Sequence, residues 1–492
     1  MNTQSLENPL LQNRNLPTNL QTEFEELGLN KDLLNACLSG NVDTVRLLIE
    51  KGENFIQATK DGLTTLHIAC LNQHIKVVKL LIEKGAEVNL SSNNGLTPLH
   101  IACCNGYANL VKLLIDKGAK VDQANKSGET PLHFACYNNS VYITQLLLDK
   151  CVEVNSLSQC GETPLHLACK KGHTDIARLL LDKSAEINMV GKDGETPLYV
   201  ACDNGHTAVV WLLMKRGAEI ESVSENAIWS PLITACYEGY FEIVQLLLAK
   251  GANINMADKT GLTPLYVSCM NRHVDVVKLL INKGAKVNVV DKNDSTPLYI
   301  ACQNGQVEIV QLLLEKGADV DRPYIGCGEA RITPLHISCD KGHIDVVRLL
   351  LDKGADVDRI PTISGATMLY FACKNNFFEL AQLLLDKGAE VDKADTKWGQ
   401  TPLFIACMYG HVKIVHLLLD KGAQVDMRDT HGATPLFIAC QEGWIDVAGL
   451  LLDKGADVNQ KNNYGMTPLS IACEKEHIDA VLRLNKSATL HA

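Results

Sequence analysis

The sequence predicts an all-α repeat solenoid, a stack of paired antiparallel helices joined by β-hairpin fingers, on three observations. A similarity of 33 residues runs from near Asp32 to the end of the 492-residue chain, and a fixed period of about 20 to 50 residues marks a stacked array, not separate cores. A Thr-Pro-Leu anchor returns at Thr97, Thr130, Thr163, Thr196, Thr263, Thr296, Thr333, Thr401, Thr434 and Thr467. Thr64-Thr65-Leu66, Ser230-Pro231-Leu232 and Thr367-Met368-Leu369 are variants of it. Fourteen of the 18 cysteines share one register position, from Cys37 and Cys70 through to Cys440 and Cys473.

Along the chain, residues 1–30 form a polar segment, in which Thr22 and Glu25 have the spacing of a capping box for a short helix. Residues 31–490 read as about fourteen repeats, the first and last serving as caps with polar outer faces. Lys31-Asp32-Leu33-Leu34 replaces the anchor at one end, and Glu474-Lys475-Glu476 with Arg483 makes the other polar, so the array is expected to be complete. Within one repeat, Asn93-Asn94-Gly95 signals a turn. Thr97 suits an N-cap, and Pro98 suits the first helical position, where its missing N–H has no intrahelical partner to lose. Gly106 stops this first helix. A second runs from about Asn109 to Lys117, with Leu110, Val111, Leu113, Leu114 and Ile115 apolar around most of its circumference. Gly118 supplies a left-handed cap, and Ala119 to Asp122 lead on to the next turn. Cys151 and Ser184 replace that glycine in consecutive repeats, which predicts a locally softer hinge there.

Thr97 to Ala102 and Thr130 to Ala135 read T-P-L-H-x-A at a period of 33, and with these anchors the chain resembles the ankyrin repeat family. The resemblance implies that a protein partner is held on a concave face, built from finger tips and from the first-helix residues just after the Ala-Cys pair. Those positions include Tyr137, Lys170, Asp203, Tyr237, Met270, Asp340, Met408 and Tyr409. They differ from repeat to repeat while their neighbours recur. A position free to differ in a uniform stack is not set by the stack, so it faces solvent or a partner.

Anchor spacing departs from 33 four times: Pro197 to Pro231 is 34, Pro297 to Pro334 is 37, Pro334 to Met368 is 34 and Met368 to Pro402 is 34. All four fall in connecting fingers, at 228–229, 322–331, 359–365 and 396–399. These carry Ile228 and Trp229, then Tyr324, Ile325 and Cys327, then Ile360 and Ile363, then Trp398. Ordinary tips here carry Asn, Lys, Asp and Ser, so Trp229, Tyr324, Ile325, Ile363 and Trp398 are candidate anchors for a partner.

Composition narrows the function. With 46 basic and 57 acidic residues the net charge is −11, opposite to a nucleic-acid footprint. No window approaches about 18 consecutive apolar residues, so no membrane insertion is expected. Met1 to Glu26 lacks the basic and apolar regions of a signal peptide. Periodic cysteines behave as small buried hydrophobes, and stacked helices at roughly 8 to 10 Å lie too far apart for disulfides. A reducing compartment, the cytoplasm or the nucleus, fits. Cys104, Cys160 and Cys327 are the non-periodic candidates for exposure.

His100 and Cys103 share a helix face, and the same pair recurs at His67, His133, His166 and His336. Zinc is not expected, because the histidine site is Tyr199, Tyr266, Tyr299, Tyr370, Phe404 or Phe437 elsewhere and a closed site needs four converging ligands. A second histidine series, from His74 to His477, follows the inter-helix turn, and His416, His431 and His491 match no triad. No phosphate-cradling glycine motif occurs. No catalytic, metal or cofactor site is predicted. The reading is a monomeric, non-catalytic scaffold for a protein partner. The alternatives are a host-directed effector or adaptor of an intracellular microbe and, with least support, an enzyme whose site is assembled along the groove.

Overall fold

The computed structural model describes residues 31–221, 229–325, 331–360, 365–477 and 479–481. The expected capping box at Thr22 and Glu25, together with Ile228, Cys327, Ile363 and Arg483, lies outside them. The chain divides into two compact bodies, one reaching Ala235 and including Glu242–Ala252, the other made of Cys236–Phe241 and the chain from Asn253 onward. Each body is a file of helix pairs.

The repeat at Thr97 shows how the sequence builds one pair. Thr97 is extended, and its hydroxyl accepts from the His100 N–H. Pro98 opens the helix Pro98–Cys104, and Tyr107 N–H returns to the Ala102 carbonyl at 3.0 Å to close the turn. The second helix, Ala108–Asp116, ends with Gly118 at φ 87. Gly118 N–H bonds to Ile115 O, and Ala119 N–H to Leu114 O, the two bonds of a Schellman cap. Leu99, Ile101, Leu110 and Leu114 are fully buried. Full burial of a leucine is worth about 1.5 to 3 kcal/mol, so the stack is held mainly by these recurrent side chains. The second helix buries one face only, since Lys112 and Asp116 are exposed.

Consecutive repeats are tied at three levels. Finger tips bond backbone to backbone, as Asn93 N–H to Asp61 O at 2.8 Å and Lys126 N–H to Asn94 O at 2.9 Å. Asn89 Oδ1 accepts from Lys120 N–H at 2.7 Å, and Asn155 and Asn188 do the same for Glu186 and Glu219. Basic residues at the second-helix ends reach back one repeat, as Arg216 to Asp182 at 2.8 Å and Lys421 to Asp386 at 2.7 Å. Exposed pairs of this kind add about 0 to 1 kcal/mol each.

The expected β-hairpin fingers are reduced to turns. Among the described residues the only bridges outside the helices are Ala58 with Thr64 and Tyr324 with Ile332. The reason lies in the finger side chains. Asn125 Oδ1 takes the N–H groups of both Ser127 and Glu129, so a side chain does what a strand ladder would.

The recurrent cysteines from Cys37 to Cys440 are buried, but Cys473 is exposed, because no further repeat packs on it among the described residues. Cys104, expected to be exposed, is buried, at the end of a first helix that packs against the first helices of both neighbouring repeats. Cys160 is exposed, as is Cys151.

Cys151 and Ser184 do take the left-handed conformation, at φ 55 and φ 66, and the helix before Cys151, Val141–Leu148, is one turn position shorter than Ala108–Asp116. Cys151→Gly and Ser184→Gly are each expected to stabilise the chain by up to about 1 kcal/mol. Amide exchange in 141–148 and 174–182 should be faster than in 307–315. Equal protection would dismiss the softer hinge.

Candidate partner-binding surface

The variable residues lie where the first helices end. Tyr137 closes Pro131–Tyr137, Lys170 lies in the last turn of Pro164–Lys171, and Asp203 closes Pro197–Asp203. The backbone carbonyls of Tyr137, Lys170 and Tyr237 are clamped from the following repeat, whose turn histidine donates Nε2–H to the helix end. His173 bonds Tyr137 O at 3.1 Å, His206 bonds Lys170 O at 3.0 Å and His273 bonds Tyr237 O at 2.8 Å. The second histidine series therefore positions the row.

Two of these residues, Lys170 and Asp203, are drawn into one charged neighbourhood. Lys170 Nζ lies 2.9 Å from Glu162 Oε1, and Glu162 Oε2 is buried without a partner. Burial raises the Asp203 carboxyl, with the Lys170 ammonium opposing. Burial also raises Glu195, reinforced by the carboxylates of Asp203 and Asp193, and raises Glu129, against an Asn125 hydrogen bond. Next to this cluster, Lys171 Nζ lies 4.5 Å from the centre of the Tyr137 ring. Sequence reading missed Glu129, Glu162 and Glu195. The signal was present: Glu-Thr-Pro-Leu occurs in three consecutive repeats, where others have Leu96, Leu262, Ala433 or Met466 before the threonine.

The remaining row positions belong to the other body. Tyr237, Met270 and Met408 are half-buried, and Asp340 is exposed with Lys341 Nζ at 3.4 Å. Tyr409 is 45% exposed, its ring stacked on His411 at 6.0 Å. Trp444 holds the turn position used elsewhere by histidine and donates Nε1–H to Met408 O at 3.0 Å. Phe377, in the same position, has no donor to offer. A cavity of about 320 Å³ opens beside it, lined by Gly342, Ile344 and Phe378.

The long fingers divide. Tyr324 turns inward, stacking on Tyr299 at 4.8 Å, and its backbone bridges Ile332. Ile325 and Trp398 point outward, 41% and 44% exposed. Trp398 is braced by His431 at 6.0 Å and by Lys397 Nζ at 5.0 Å. Trp229 is half-buried at the foot of its finger.

The His-x-x-Cys pairs are engaged elsewhere. In the repeat of His100, Nδ1 faces Thr97 and Nε2 reaches the Glu129 carbonyl at 3.1 Å, so both ring nitrogens are used. Burial pushes the paired thiols of Cys70, Cys103, Cys136, Cys169 and Cys339 well above their ordinary range. Among the described residues no group of three or more His, Cys, Asp or Glu could hold a metal ion, and no helix is long and apolar enough to cross a membrane.

Comparison with known proteins adds one result. A family model described as ankyrin repeats, in three copies, matches residues 16–92, 85–158, 143–224, 232–324, 324–395, 392–462 and 426–490. No curated protein matches the chain.

Proposed function

The chain belongs to the ankyrin repeat family, whose repeats are generally protein–protein interaction modules, and from that premise we propose that it is a non-catalytic scaffold for a protein partner. Each body grips through its own row, Tyr137, Lys170 and Asp203 in the first and Tyr237, Met270, Asp340, Met408 and Tyr409 in the second, with Ile325 and Trp398 of the long fingers as outlying contacts. Solubility in a reducing compartment, the cytoplasm, accords with the many buried free thiols.

The observation that carries this reading is the gathering of carboxylates along the row, Glu195 beside Asp203 and Asp193, and Glu129 beside Glu162. Glu195 and Asp203 are exposed and Glu129 is half-buried, so this negative charge is open to a partner. A basic residue of a partner would relieve the crowding.

The test is a triple variant, Glu129→Gln, Glu195→Gln and Asp203→Asn, beside Ile325→Ala with Trp398→Ala. At pH 7 the triple variant should melt like the wild type yet fail to retain proteins that the wild type captures. If both variants retain the same proteins, neither surface is the site.

A further inference from the structure

Four consecutive repeats of the first body carry a histidine three residues after the anchor threonine, and one repeat of the second body does. In each, the hydrogen bonds fix the tautomer. Nδ1 of His67, His100, His133 and His166 lies 3.2, 3.1, 3.0 and 3.2 Å from the backbone nitrogen of Thr64, Thr97, Thr130 and Thr163. That N–H can only donate, so Nδ1 must be bare. Nε2 lies 3.0 to 3.2 Å from the carbonyls of Leu96, Glu129, Glu162 and Glu195. Those can only accept, so Nε2 carries the hydrogen. Each neutral ring thereby ties the start of its own helix to the finger of the following repeat.

A second proton has nowhere suitable to go. On Nδ1 it would point at a backbone N–H, donor against donor. The threonine hydroxyl can rotate to accept, but the backbone N–H cannot turn away. The surroundings offer limited compensation. His67 faces the carbonyls of Leu90 and Leu96, and His100 faces those of Gln123 and Glu129 together with the His67 and His133 rings. His133 faces the Glu162 carboxylate, while His166 faces both Glu162 and the Lys170 ammonium. In the second body His336 lies between Arg359 and Asp356. The register is otherwise taken there by Tyr266, Tyr299, Tyr370, Phe404, Phe437 and Ser470, which do not titrate in mild acid.

We propose that the histidine run is an acid-released lock, holding the fingers of the first body in register at neutral pH and freeing them in mild acid while the second body stays folded. The device does not depend on what the array binds. Burial pushes His67, His100 and His133 down to about 4. The unfolded chain, titrating near 6.5, therefore takes up protons that the folded chain refuses. The stabilisation is full above about pH 6.5 and is lost as the pH falls toward 4. Near pH 4.5 each of these histidines shifts the folding equilibrium by roughly 10- to 100-fold. Glu129, Glu195 and Asp203, being raised, shift in the opposite sense and soften the fall without matching it in number.

Peptide-resolved hydrogen exchange on the full chain, at pH 7 and near pH 4.5 and corrected for intrinsic rates, tests the lock. Residues 98–116 and 131–148 should lose at least ten-fold more protection than 402–420 and 435–453. A reciprocal exchange separates the histidines from the rest of the body. His100→Phe with His133→Phe should restore protection in acid, and Phe404→His should bring acid sensitivity to 402–420. Should the double variant not fold, the wild-type contrast and Phe404→His still decide. Equal loss in both bodies, or a Phe404→His chain no more acid-sensitive than its parent, would overturn the proposal.

Discussion

Phe404→Ala is expected to destabilise the second body by about 3 to 5 kcal/mol. Phe404 is 1% exposed and is among the largest fully buried side chains. It stands where four repeats of the first body place a bridging histidine, so this repeat replaces a hydrogen-bonded tie with packing alone. Thr401 still caps the helix, accepting from Phe404 N–H at 3.1 Å, and that bond survives the substitution. What is lost is the ring and the contacts around it, in a layer held between Pro402–Met408 and its neighbouring first helices. Because each repeat touches only its neighbours, the damage should stay local. Urea unfolding should shift to lower denaturant, and exchange should rise in 402–420 and in the flanking repeats but not in 98–116. A cost below about 1 kcal/mol would mean that the layer closes over the cavity and that packing at this register is not what holds the repeat.

The same register shows what could be read from sequence. Threonine caps, proline at the first helical turn and glycine after the second helix are local chemistry repeated at a fixed period. Thr97, Pro98 and Gly118 therefore do what their types predict. The finger form was not legible. It depends on whether Asn125 and its counterparts spend their side chains on nearby N–H groups: Asn125 N–H still bonds Glu129 O at 2.9 Å, but the Glu129 N–H that would return the bond goes to Asn125 Oδ1. Cys104 and Cys473 departed from expectation because exposure follows neighbours, not register. At the proposed binding surface, variation between repeats singles out Lys170 and Asp203 as candidates, but the glutamates that give this region its charge lie about 30 residues apart in sequence and converge only in the stack. Tyr324 looked like an outward anchor by composition. Its ring found Tyr299 in the preceding repeat, a contact that spacing alone does not reveal.

Left-handed turns occur at non-glycine residues too, at Gln73, Asn139, Arg272 and Asn376, so glycine is required in only some of its recurrent places. The space around each glycine decides which. Gly95 and Gly118 have nearly the same backbone, φ 80 and φ 87, but different surroundings. A Cβ on Gly118 would meet nothing within 4 Å, whereas one on Gly95 would lie 2.6 Å from Lys126 N and 2.9 Å from Asn125 Cα. Those are backbone atoms of the next finger and cannot rotate aside. Gly118→Ala should therefore cost only the conformational penalty, about 1 kcal/mol. Gly95→Ala should add the displacement of a finger and the loss of the Lys126 N–H to Asn94 O bond, for a total of about 2 to 4 kcal/mol. Paired denaturation curves measure the difference directly. If the two alanines cost the same, the fingers yield freely and their stacked turns do not hold the array in register. If Gly95→Ala is the more damaging, exchange should also rise at Lys126 and Ser127, one repeat beyond the substitution.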